Sequence, residues 1–210
     1  MDIIEYGNKT ANTVLLQPVD EHDLALIENE IALIRENVEE DFMLAAFRVG
    51  SWNNDLSPWE APAVFGNEGF DGNASRTLAE ILDYCGDKTK NYYIGGYSLA
   101  GLFALWSACQ TDLFVGVAAA SPSVWFPGFG DYLKEGKMKT GCVYLSLGDK
   151  EERTRNPVTG TVGDRIREAE ALLTEQGVNC ILEWNSGNHF KDPELRTAKA
   201  FTWVMKQKSH

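Results

Sequence analysis

NYYIGGYSLAGLFALWSA, residues 91–108, decides how the rest of the chain is read. An aromatic, β-branched run passes through Gly95-Gly96, reaches one serine, and continues as an almost wholly apolar segment. The run Asn91 to Ile94 has strand composition, and the segment from Leu99 is long enough for a buried helix. Ser98 therefore falls on a strand-to-helix turn. It either caps the helix as an ordinary N-cap serine, or it is held out of a tight turn where its hydroxyl can act as a nucleophile.

Outward from this stretch the chain alternates. DIIEY (2–6) and NTVLLQPV (12–19) read as two strands around a GNKTA turn, and the DEHD segment opens a helix whose Leu24, Ile27, Ile31, Ile34 and Val38 form one apolar stripe. FMLAAFRV (42–49) is a continuous apolar run of strand length, as expected of a strand covered on both faces. SRTLAEILDYCG reads as a helix, LFVGVAAASPS and CVYLSLG as strands, and DYLKEG as a short helix between them. DRIREAEALLTEQG follows as a helix with Gly177 as its left-handed stop, then CILEWNS as a strand. In the last helix Asp192 is expected to cap, Pro193 to take the first position, and Leu195, Ala198, Phe201 and Met205 to form the buried stripe.

Apolar strands alternating with helices specify an α/β architecture, a mostly parallel central sheet with helices on both faces. Such sheets bind ligands beyond the carboxyl ends of their strands. That rule selects residues 50–73, 96–99, 121–130, 148–162 and 186–192. The first is a long loop with two Trp and two Pro, and loops of that length inside a compact domain tend to be functional.

The bulk numbers narrow the partners. A chain of 210 residues suits one domain, 1–210, and no repeat or linker divides it. A net charge of −12 argues against nucleic acid and anionic membrane as partners, leaving small neutral or cationic ligands. No secretory leader and no apolar run of about 18 residues is visible, so a cytoplasmic protein is expected. Cys85, Cys109, Cys142 and Cys180 are scattered without a C-x-x-C pair or a nearby His, so they read as small hydrophobes in a reducing compartment, with neither metal nor cofactor expected.

A serine hydroxyl needs a base, and the base needs an orienting group. The frame Gly96-Tyr97-Ser98-Leu99-Ala100-Gly101 matches a G-x-S-x-G elbow with alanine at the second glycine. Of the histidines, His210 is terminal and His22 opens a surface helix, which leaves His189 in the SGNHF loop as the base. The acid should come from the loop after CVYLSLG, which offers Asp149, Glu151 and Glu152. Glu151 is preferred because Asp149 can hold the turn backbone, with Asp149 as the alternative.

GGYSLAGLFALW, AAASPSVWF, LSLGDKEERTRNP and SGNHF together resemble an esterase family of the α/β-hydrolases that includes siderophore esterases, S-formylglutathione hydrolases of the esterase D type and feruloyl esterases. The similarity spans roughly residues 90 to 206, with a weaker match around Trp52 to Trp59. It implies an α/β-hydrolase fold without a separate lid domain, and a serine esterase cleaving a small carboxylic ester through an acyl-enzyme. Ser98 and His189 carry over directly. Family acids commonly fall three residues after the strand-end glycine, which supports Glu151, although some members rely on a Ser-His dyad. Ala100 is the departure. An oxyanion hole would use the Leu99 N–H and a second N–H from Ser51 or Trp52, with Trp52 preferred. Trp52, Trp59, Trp125 and Phe126 either cap the core or line a substrate pocket. Thioester hydrolysis or acyl transfer by the same triad, and a non-catalytic binding module, are the competing readings. The sequence leaves the oligomeric state open.

Overall fold

The computed structural model describes residues 1–207. Its elements run β1 (Asp2–Gly7), β2 (Thr13–Val19), α1 (Glu21–Asn37), β3 (Phe42–Arg48), α2 (Trp52–Leu56), β4 (Glu60–Ala61), β5 (Phe70–Asp71), α3 (Ala74–Tyr84), β6 (Asn91–Tyr97), α4 (Leu99–Gln110), β7 (Phe114–Ala120), α5 (Phe129–Glu135), β8 (Cys142–Gly148), α6 (Val162–Glu175), β9 (Asn179–Asn185) and α7 (Pro193–Lys206). A seven-stranded sheet in the order β1-β3-β2-β6-β7-β8-β9 forms the centre. Only β1 runs antiparallel to its neighbour.

The burial of each strand explains its place. β2 and β8 are buried at every position and β6 at all but its first, as expected for strands covered on both faces. β1 is mostly exposed and takes an edge. The two N-terminal strands are consequently not a hairpin: β3 lies between them, because the doubly buried β2 needs a strand on each side while β1 does not.

Two apolar layers flank the sheet. One packs α4 with Leu78 and Ile81 of α3, Phe129 and Leu133 of α5, and Ile166 and Leu173 of α6. The other packs Ile27, Ile31 and Ile34 of α1 against Ala198, Phe201, Val204 and Met205 of α7. α4 is buried from Leu99 to Cys109, the expected state of a helix that is apolar all round. α1 opens at the DEHD segment as expected, with Asp20 as its cap, whose side chain accepts from the His22 and Asp23 N–H groups. Gly177 takes a left-handed φ of 81° after α6.

α7 departs from expectation at its start. Asp192 occupies the N-cap position at φ 52° but makes no capping hydrogen bond, so Pro193 alone carries the helix-start chemistry. Leu195 is 37% exposed and Arg196 is 1% exposed, so the stripe turns an arginine inward and leaves the leucine outside. The residues between Gly50 and Asn73 are also more ordered than a plain loop, holding α2 and the two-stranded β4–β5 ribbon. No helix among the described residues is long and apolar enough to cross a membrane.

Under α1, Glu30 is 4% exposed and its Oε2 accepts from Gln17 Nε2 at 3.3 Å. Glu30 Oε1 and Gln17 Oε1 have no partner among the described residues. Burial pushes the Glu30 carboxyl up from 4.5 to about 8, and the Gln17 bond only partly opposes this. A carboxyl proton turns one of these leftover acceptors into a donor. The sign follows from linkage: the folded chain keeps a proton that the unfolded chain has released, so this group's stability is complete below about pH 4.5 and is lost as pH rises through 8. Glu30→Gln should therefore leave stability nearly unchanged near pH 5 and raise it relative to wild type at pH 8, by on the order of a few kcal/mol. Thermal denaturation across that range tests this, and parallel curves would contradict it.

Candidate active site

β6 delivers Ser98 to the carboxyl edge of the sheet in an unusual backbone state. Its φ of 56° and ψ of −118° lie outside the regions open to most side-chain-bearing residues, at a cost of roughly 1–3 kcal/mol. Three backbone hydrogen bonds hold it there: Ser98 N–H donates to Ala120 O at 3.0 Å, and Ser98 O accepts from Ser123 N–H at 3.0 Å and Leu102 N–H at 3.1 Å. The Ser98 side chain makes no N-cap bond. That removes the plain-cap reading and leaves the hydroxyl free.

Gly96 and Ala100 share the crowded inside of this turn. A Cβ on Gly96, whose φ is 153°, would lie 2.7 Å from Ala100 Cβ. The turn thus has room for one methyl group, and it belongs to Ala100. This is why alanine at the second glycine of the motif leaves the elbow intact.

The loop after β9 brings His189 to the same edge. Its Nε2 lies 3.0 Å from Ser98 Oγ and its Nδ1 lies 2.7 Å from Glu151 Oε2. The three side chains come from the ends of β6, β8 and β9, separate in sequence and adjacent in space. Tyr97 supports the loop by donating its hydroxyl to His189 O at 2.7 Å, and its ring sits 5.2 Å from the imidazole.

The three candidate carboxylates separate by their partners. Asp149 is exposed and accepts the Gly187 N–H at 2.8 Å, tying two turns together as backbone support. Glu152 is exposed and faces Arg167 at 3.7 Å. Glu151 alone reaches His189. Its Oε1 accepts from Gly148 N–H at 2.7 Å, Ser121 Oγ–H at 2.8 Å and Arg196 Nη1 at 2.7 Å, which leaves Oε2 for the imidazole. Burial acts to raise the Glu151 carboxyl, but the bonds from His189, Gly148 and Ser121 outweigh it and hold it below its ordinary value.

Sequence reasoning did not single out Tyr97, Ser121, Ser123 or Arg196. The 1% exposed Ser123 places its hydroxyl 3.3 Å from Ser98 Oγ. The available signal for Arg196 was its position four residues before Ala200, a charge on an otherwise apolar helical face.

The backbone N–H groups of Leu99 and Trp52 have no acceptor among the described residues, and both residues line the same cleft as Ser98. Ser51 is different. Its N–H and that of Gly50 both donate to Asp55 Oδ2, at 2.9 and 3.0 Å, so of the two residues considered only Trp52 keeps a free donor. A pair of such donors can hold a developing oxyanion.

The cleft encloses about 700 Å³, and Trp52, Phe65, Phe70, Trp125 and Phe190 supply its apolar wall. Trp59 and Phe126 lie outside it. Trp59 Nε1 donates to Pro127 O at 2.9 Å and its ring packs on Phe126 and Tyr132, so both aromatics belong to the core beneath the loops. Lys150, Arg153 and Arg155 also line it, and among the described residues the ion pairs of their loop involve only Glu151 and Glu152. The lining therefore holds more cationic than anionic side chains although the chain as a whole is acidic. Among the described residues no cluster of three or more His, Cys, Asp or Glu side chains is arranged to hold a metal. His22 is exposed on α1, and His210 lies outside the described residues.

No protein-family model and no curated protein matches the chain. Among solved structures it is similar to an IroE-like serine hydrolase from Shewanella oneidensis, at TM-score 0.77 and 14% identity, covering 96% of this chain and 74% of that one. It is also similar to the siderophore hydrolase EstA from Aspergillus nidulans, at TM-score 0.68 and 18% identity over 96% and 86% of the two chains. A third is the enterobactin esterase FES from Shigella flexneri, at TM-score 0.64 and 11% identity over 97% of this chain and 55% of the other. The chain has the α/β-hydrolase fold, and no separate lid is evident among the described residues.

The elbow yields a direct test. Gly96→Ala should lower the thermal midpoint and remove reactivity at Ser98, because the added Cβ meets Ala100. Ala100→Gly in that background should recover only part of the loss, since the positive φ still disfavours a side chain. Wild-type melting of Gly96→Ala would show that the turn is not as crowded as described.

Proposed function

We propose that this protein is a serine esterase acting on small carboxylic esters. One observation carries the reading: a single imidazole with its Nε2 3.0 Å from a hydroxyl on a strained strand-to-helix turn and its Nδ1 2.7 Å from a buried carboxylate. Ser98 Oγ attacks the carbonyl carbon while His189 Nε2 takes its proton. The Leu99 and Trp52 N–H groups receive the charge on the carbonyl oxygen. As the tetrahedral intermediate collapses, His189 returns the proton to the departing alcohol, and Ser98 is left acylated. Water then attacks the acyl carbon with His189 as base, releasing the acid and free Ser98. Glu151 holds the Nδ1–H tautomer and stabilises the imidazolium.

The cleft also speaks to substrate. A lining that combines aromatic side chains with Lys150, Arg153 and Arg155 suits an ester whose acyl or alcohol part carries both an apolar ring and a negative charge. Structural neighbours named as siderophore hydrolase and enterobactin esterase are consistent with a small-molecule ester of that kind. Four free thiols support a reducing, cytoplasmic setting.

Fluorophosphonate labelling and p-nitrophenyl acetate hydrolysis test the chemistry. Wild type should be labelled and Ser98→Ala should not. Glu151→Gln should lose two to four orders of magnitude in kcat, roughly the cost of the wrong tautomer, while Asp149→Asn keeps most activity. Equal labelling of wild type and Ser98→Ala removes the esterase reading, and selective loss in Asp149→Asn removes Glu151 from it. For substrate, Arg153→Glu combined with Arg155→Glu should raise KM about tenfold for an aryl ester bearing a carboxylate and leave p-nitrophenyl acetate nearly unchanged. Equal effects on both esters would dismiss the anionic preference.

A further inference from the structure

Arg196 is the largest fully buried side chain among the described residues, and nothing in the esterase chemistry just described uses it. Its guanidinium is spent entirely on the surroundings of the site. Nη1 lies 2.7 Å from Glu151 Oε1, 3.0 Å from the Tyr97 hydroxyl and 3.1 Å from Ser121 Oγ, sharing two hydrogens among three acceptors. Nη2 donates to Asn188 O at 3.0 Å and Ser186 O at 3.4 Å. These acceptors belong to four chain segments: the end of β6, the turn after β7, the turn after β8 and the loop that carries His189.

Such a group is a poor choice for stability alone. Taking a guanidinium and a carboxylate out of water is costly, and apolar residues of similar volume often serve as well or better. A planar fork with a permanent charge does offer two things an apolar side chain cannot. It fixes several acceptors in one plane, and it favours the ionised state of the carboxylate it touches. Together with Gly148 and Ser121 it saturates Glu151 Oε1, so Oε2 is left to face the imidazole.

Resting on the Ser98–His189–Glu151 reading, we propose that Arg196 is a positioning residue: it locks Glu151, the Tyr97 end of the elbow and the His189 loop into one unit, and it extends activity toward acidic pH by keeping the Glu151 carboxylate charged. Other charged or titratable groups around the pair are Tyr97 from β6, Asp149, Lys150, Arg153 and Arg155 from the loop after β8, and Lys191 and Asp192 from the loop of His189 itself. All of these are retained when Arg196 is changed, so the difference reports Arg196.

Charge and shape separate in two variants. Arg196→Lys keeps the cation and loses the fork, while Arg196→Met loses both. The sign is fixed: removing a cation beside the Glu151–His189 pair favours any proton added to that pair, so it arrives at higher pH whichever partner carries it. The rate of fluorophosphonate labelling, measured from about pH 5 to 9 alongside p-nitrophenyl acetate hydrolysis, should show its acid limb moved up by about one pH unit or more in Arg196→Met. In Arg196→Lys the limb should stay close to that of wild type, with a lower rate and a lower thermal midpoint. If Arg196→Met does not fold, Arg196→Gln replaces it, because it keeps an N–H donor without the charge. Variants that lose rate or stability with the limb unmoved would overturn the proposal and leave Arg196 as packing alone. Absence of Ser98-dependent labelling in wild type would instead be a failure of the esterase reading. In that case the thermal midpoint decides about Arg196: its fall on acidification through the ordinary carboxyl range should be shallower in the uncharged variant, because the folded chain then takes up the Glu151 proton nearer the unfolded value, and an equal fall would dismiss the proposal.

Discussion

The site depends on a backbone constraint at Ser98. A residue with a side chain is held at positive φ where β6 turns into α4, and the cost is met by three backbone hydrogen bonds from the neighbouring β7 edge and from α4. Because those partners lie on other elements, the strain persists only in the complete sheet. It presents Oγ at the rim of the parallel sheet, the place where the loops after β8 and β9 also end. The room for a single methyl group between Gly96 and Ala100 belongs to the same constraint, since strand and helix can approach that closely only there.

Charge is organised in two shells around this point. Beside the imidazole, Glu151 and Arg196 form a buried ion pair whose remaining hydrogen-bonding groups are taken up by Ser121, Gly148, Tyr97 and two loop carbonyls. In the lining of the cleft, Lys150, Arg153 and Arg155 have no carboxylate partner among the described residues. A chain of net charge −12 thus carries a cationic pocket. Summed charge governs the field at long range, whereas a ligand within a few ångströms meets the side chains that line the cleft.

The legible and illegible parts of the molecule divide along physical lines. β6, α4 and the Ser98 turn could be read directly because a buried strand and a buried helix have distinct lengths and compositions, and glycines mark the reversal between them. The five loops at the carboxyl edge could be placed because a parallel sheet sends all its strand ends to one side. Arg196 was passed over in favour of Leu195, since helical periodicity assigns faces by hydrophobicity and cannot know that five acceptors wait on the inner side. Trp59 and Phe126 were grouped with Trp52 and Trp125 for sharing a sheet edge. Only packing shows that the first two sit under the loops and the others in the cleft. The insertion of β3 between β1 and β2 was likewise invisible, because strand pairing depends on which neighbour covers which face.

By itself, the sequence determined the alternation of elements, the turn that carries Ser98 and the small set of side chains able to serve it, since these follow from local composition, periodicity and the scarcity of histidine. Tertiary structure alone decided which carboxylate meets His189, which N–H groups remain free and what holds them. Those choices are made across sequence separations of 25 to 99, by hydrogen-bond distances that no local pattern encodes.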